Sequence, residues 1–152
     1  MNRHIYRLVA AVLAAITIVS CNDARKSETY RVLEDVDSYI EARPDSALAV
    51  LEGIDVEDLG SREEKAKYAL LMSMALDKNY IDRTDFEVLQ PAIDYYEDHG
   101  SATDKLRTFY YQGRIYYNRG EPEEAMECYI KSLDLGAGSN NLAAKALNHN
   151  AQ

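Results

Sequence analysis

The stretch Phe109–Leu133, FYYQGRIYYNRGEPEEAMECYIKSL, decides the fold. Helix-forming residues flank a turn of Arg119, Gly120, Glu121 and Pro122, so the spacing predicts one helix from Thr103 or Asp104 to Asn118 and another from about Glu123 to Leu135. Gly113 nevertheless stands in the middle of the first. Glycine costs roughly 1 kcal/mol against alanine in a helix interior, so close packing against a neighbour is the natural reason to keep it.

The same helix-turn-helix pattern extends upstream. Tyr30, Leu33, Val36, Tyr39 and Ile40 recur at three- and four-residue intervals, which places them on one face of a helix. Pro44 breaks that helix, Asp45 or Ser46 is positioned to cap the next, and Gly53 ends it. Residues 62–78 predict a long helix. Its partner is expected from Thr84, with Glu87 in capping-box spacing, to His99-Gly100; Pro91 predicts a kink or a later start near Gln90. No strand pattern is present, and the expected class is all-α: stacked antiparallel hairpins, about three, followed by a single helix.

Within the third pair, Phe109, Gln112, Gly113, Tyr116, Gly120, Ala125, Tyr129 and Ser132 have a spacing that resembles the tetratricopeptide repeat. The resemblance implies a right-handed solenoid. It casts Phe109, Gly113, Tyr116, Gly120, Ala125 and Tyr129 as repeat-packing positions, with Gly113 and Ala125 as the point where two helices cross closely. Tyr68, Leu71, Ala75, Ala92, Tyr96 and His99 fit the pattern in the second pair, where Met72 replaces the glycine and the loop is longer. In the first pair only Ala47, Leu51 and Ile54 fit. Residues 140–152 look like the first helix of a fourth repeat, and Leu142, Ala143, Ala146 and Leu147 are expected to cover the third. The repeat domain, 28–152, is accordingly expected to be incomplete at its C-terminus.

The N-terminus has a different character. Arg3 and Arg7 precede a run from Leu8 to Val19 that is apolar except for Thr17, too short for a membrane span of about twenty residues. Ile18-Val19-Ser20-Cys21 resembles the lipobox of bacterial lipoproteins. That resemblance implies a signal peptide at 1–20, lipidation of Cys21, and a short tether at 21–27; an ordinary cleaved signal or an uncleaved anchor is the competing reading. Loss of residues 1–20 removes Arg3 and Arg7 but no acid, taking the formal net charge of −9 two units lower, to −11. So acidic a chain is not expected to bind nucleic acid. With Cys21 acylated, only Cys128 remains, in a packing position.

No residue pattern indicates chemistry. His4, His99 and His149 form no metal-ligand pair on one helix face, and no serine or cysteine lies in a nucleophile motif. His99 fits a helix C-terminus. The segment from Asp77 fails the calcium-loop pattern at Ile81, Asp82 and Val88. No enzyme activity, metal or cofactor is expected.

The repeat resemblance implies a concave groove lined by first helices, which selects Arg107, Tyr110, Arg114, Tyr117 and Asn118. Two arginines and two tyrosines suit a peptide carboxylate or phosphate with aromatic stacking. Two bland alternatives stand beside this: the tyrosines pack against a neighbouring repeat, and the arginines pair with helix acids such as Asp104. The second-pair equivalents, Ala66, Ala69, Ser73, Leu76 and Asp77, are read as supplying room rather than contacts. The expected function is a non-enzymatic module that holds a peptide or protein segment, as a scaffold or as the input of envelope signalling. It is lipid-anchored in the cell envelope, at the outer membrane, like similar repeat lipoproteins of Gram-negative bacteria. A glycan stacked on the tyrosines is the alternative ligand.

Overall fold

A computed structural model describes residues 27–137. The signal, Cys21 and the 140–152 segment lie outside them. The described residues form six α-helices and no strand: α1 Glu28–Tyr39, α2 Pro44–Glu52, α3 Arg62–Lys78, α4 Gln90–Tyr96, α5 Ala102–Arg119 and α6 Pro122–Ala137, with a 3₁₀ turn at Val56–Asp58. Each consecutive pair packs together, and α3 also touches α1, α2 and α5. None of these helices is long and apolar enough to cross a membrane.

Helix α3 is the centre of the core. Ala66 and every residue from Ala69 to Ala75 are buried, so apolar side chains surround it as expected for a helix enclosed on most sides. Leu33, Val36 and Ile40 of α1, Ala47 and Leu51 of α2, and Leu89 and Ala92 from the α4 region pack into the same core.

The helix ends explain where the chain turns. Ser61 and Glu64 form a reciprocal capping box on α3, and the Glu64 carboxylate accepts from the backbone N–H groups of both Gly60 (2.7 Å) and Ser61 (3.1 Å). Ser27, the cap of α1, donates its hydroxyl to Glu64 as well, so a carboxylate only 5% exposed ties the starts of α1 and α3 together. At the far end of α3, Ile81 N–H bonds Leu76 C=O and Tyr80 N–H bonds Asp77 C=O, which leaves Tyr80 left-handed at φ 60°.

Several expected boundaries shift. Pro44 starts α2 as its first residue, and Arg43, not Asp45 or Ser46, holds the cap position without a side-chain bond. Thr84 and Glu87 form no capping box; Asp85 instead accepts from the Arg83 guanidinium and from Glu87 N–H. This arrangement occupies the linker, so α4 starts at Gln90, beside Pro91, and is short. Helix α5 begins at Ala102, just before the expected Thr103 or Asp104, with Ser101 as its cap and Asp104 completing the box. Gly120 ends α5 at φ 80°, and Pro122 opens α6.

The third pair answers the glycine question differently from the expected contact with Ala125. A Cβ on Gly113 would fall 2.5 Å from Tyr129 Cε1 and 2.8 Å from Cδ1. The Tyr129 ring, one turn along α6 from the buried Ala125, fills the space a side chain would need. Tyr116 meets Phe86 of the linker edge-on at 5.0 Å, Phe109 is half-buried beneath the Lys131 ammonium, and Cys128 is buried. Met126, Ile130 and Leu133 form an exposed apolar stripe along α6.

Candidate partner-binding face

The first helices of the three pairs, α1, α3 and α5, are laced together by charge. Asp37 on α1 accepts from Lys67 of α3 at 2.9 Å and from Arg107 of α5 at 2.7 Å. Glu41 pairs with Lys78, and Arg114 Nε donates to Asp77 Oδ1 at 2.7 Å. Burial alone would raise the Asp37 pKa, but the Arg107 charge and the Lys67 bond outweigh it and hold the carboxyl below its ordinary value. Burial likewise opposes the Arg114 charge, and the Asp77 bond overcomes it.

The five expected groove residues therefore divide. Arg107 is 15% exposed and committed to Asp37, two helical turns from the remaining charge cluster. Tyr110 is buried, edge-on to Tyr111 at 5.0 Å and tilted against Tyr129 at 5.7 Å; burial pushes its hydroxyl pKa up. Arg114, Tyr117 and Asn118 stay together at the C-terminal end of α5. The Arg114 guanidinium lies 5.9 Å from the Tyr117 ring, and Tyr117 is 60% exposed. Asn118 Nδ2 donates to Arg83 C=O at 3.2 Å and to Asp82 Oδ1 at 3.4 Å, which brings the Tyr80–Arg83 loop beside them. In that loop Tyr80 and Ile81 are exposed.

The chain matches no known family model, no curated protein and no solved structure.

The second pair does not supply the expected room. Ala66, Ala69 and Ser73 are buried, and Asp77 provides the principal contact of Arg114. Arg114 and Arg107 do form ion pairs, but with acids 37 and 70 residues away rather than with Asp104. Sequence reasoning missed Asp37 and Asp77 as partners because each is a single acid among many on amphipathic helices. The available signal was sign complementarity across aligned first helices. Among the described residues, no group of three histidine, cysteine or acidic side chains is placed to hold a metal ion. His99 stacks on Tyr95 at 4.7 Å, with its Nδ1 3.1 Å from the Tyr95 carbonyl oxygen.

Proposed function

We propose that the chain is a tetratricopeptide-like right-handed solenoid, anchored in the bacterial envelope through Cys21, which holds a peptide or protein segment as a scaffold or as the input of envelope signalling. The observation that carries the binding part is the cluster at the end of α5: exposed Tyr117 with half-buried Arg114 and Asn118, and exposed Tyr80 and Ile81 alongside. Arg114 Nη2 lies 3.9 Å from Asp82, beyond hydrogen-bond reach, and Asp82 is 65% exposed. A ligand carboxylate can take that guanidinium edge without breaking the Nε bond to Asp77, while tyrosine faces stack on its neighbours. Helical pairing and the Gly113–Tyr129 approach support the repeat reading.

The test is fluorescence anisotropy with a panel of labelled acidic peptides and neutral oligosaccharides. Tyr117→Ala and Arg114→Gln should each weaken binding about tenfold while the helical circular dichroism is retained. A ligand that is lost with Tyr117→Ala but unaffected by Arg114→Gln would favour the glycan alternative, which rests on the exposed tyrosines. Unchanged binding in both variants would remove this face from consideration. The anchor is tested by the intact mass of the membrane-extracted protein: acyl chains on a product beginning at Cys21 support it, and an unlipidated soluble product overturns it.

A further inference from the structure

Helix α4 is too short to cover its neighbour. It has 7 residues against the 18 of α5, roughly 10 Å of helix against roughly 27 Å. Both α4 and α6 pack on α5. Between them runs a groove of about 330 Å³, open to solvent and within the ordinary size of a small-ligand site. Phe109, Gln112 and Tyr116, spaced along one face of α5, form its floor, with Ile93 and Tyr96 of α4 on one side and α6 on the other.

Charge is sorted along this groove. Helices α5 and α6 run antiparallel, with Ser132 bonded to Leu106 and Tyr129 against Gly113. The Lys131 ammonium therefore stands over Phe109, 5.7 Å from the ring centre, and Lys105 lies one turn further along α5, bonded to the Glu97 carbonyl oxygen at 3.1 Å. Glu127 and then Glu124 follow on α6 in the other direction, until Glu124 is level with Tyr116. The Glu97 carboxylate joins them from the end of α4. None of these five charged groups belongs to an ion pair among the described residues. Three acids disfavour a ligand that is only anionic, and the two lysines disfavour one that is only cationic.

Length selects among ligands that carry both charges. Glu124 and Lys131 are two helical turns apart, about 10 Å, and an extended peptide of three residues spans about the same distance. We propose that this groove binds a free, neutral tripeptide, its ammonium toward Glu124 and Glu127, its carboxylate toward Lys131 and Lys105, and its central side chain on Phe109. The Gln112 amide lies on the floor where it can pair with the peptide backbone. The groove shares no residue with the Arg114–Tyr117 face, so the two sites stand or fall separately.

The experiment is isothermal titration calorimetry of the purified full chain with Ala-Leu-Ala and with its N-acetylated and C-amidated forms. At the usual contribution per atom, about twenty non-hydrogen atoms give a Kd on the order of 0.1 mM. Blocking either end should weaken binding about fivefold, the upper range for an exposed charge pair. Lys131→Met should erase most of the difference between free and amidated peptide, and Glu124→Gln most of that between free and acetylated peptide; both side chains are exposed, so the fold is retained. Arg114→Gln and Tyr117→Ala should leave all three titrations unchanged. Absence of heat at millimolar peptide, equal binding of the blocked forms, or binding lost in the Arg114 or Tyr117 variants overturns the proposal.

Discussion

Asp37→Asn is the most informative single substitution. It keeps the size of the side chain but removes the negative charge shared by Lys67 and Arg107, each 15% exposed. Removing one member of a fully buried ion pair costs about 3–5 kcal/mol, because the other charge is left uncompensated. Asp37 is 25% exposed, so solvent screening reduces that to about 2 kcal/mol. For a helical domain of this size the loss lowers Tm by about 8 °C. Urea denaturation should show a lower midpoint with an unchanged slope. The pH dependence follows from the depressed Asp37 pKa: the stabilisation is present above the ordinary aspartate pKa and is lost as pH falls through the folded-state value. The variant should therefore lose less stability on acidification than the parent. A loss below about 0.5 kcal/mol, or a double-mutant cycle with Arg107→Met showing no coupling, would refute the bridge.

Gly113→Ala should destabilise by about 1 kcal/mol, since overpacking against Tyr129 outweighs the gain in helix propensity; in a Tyr129→Ala background the same change should stabilise, as read by thermal denaturation. Tyr80→Gly should stabilise by about 1 kcal/mol, because the tyrosine is left-handed and 93% exposed with no packing to lose. Tyr30 and Tyr129 have pKa values pushed up to about 12, principally by burial, so their contribution is complete below about pH 10 and is lost as pH rises through about 12. Tyrosinate absorbance should lag behind that of model tyrosine until the helices melt.

Periodicity made the six helices legible, and α3 falls on the residues that its apolar spacing predicts, 62–78. Boundaries went astray where local chemistry competed with the periodic pattern. Asp85 folded the Thr84–Leu89 segment around Arg83, Pro44 acted as the first helical residue rather than as a breaker, and Pro122, read as the end of a turn, opened α6. The importance of Gly113 was readable, but its contact was not, because Ala125 and Tyr129 share one face of α6 and only the packed geometry says which one reaches the glycine. The groove residues were the least legible. A helical wheel places Arg107 and Tyr110 beside Arg114, but cannot show that Asp37 claims one and Tyr129 covers the other.

The Glu64 knot gives the molecule a particular load path. Ser27 is the first described residue, and its hydroxyl is held by a carboxylate rooted in α3 and braced by Gly60 and Ser61. Tension applied through the residues that precede Ser27 thus enters the central helix directly, instead of peeling α1 away turn by turn. A chain pulled from that end in a single-molecule force experiment should resist until Glu64 lets go and then yield α1 and α2 together. Glu64→Ala should lower that rupture force while leaving the extension released by α3–α6 unchanged. Pulled from α6, the load meets a neutral tie instead, the buried Ser132 hydroxyl donated to Leu106 C=O, so the two directions of pull should give unequal forces.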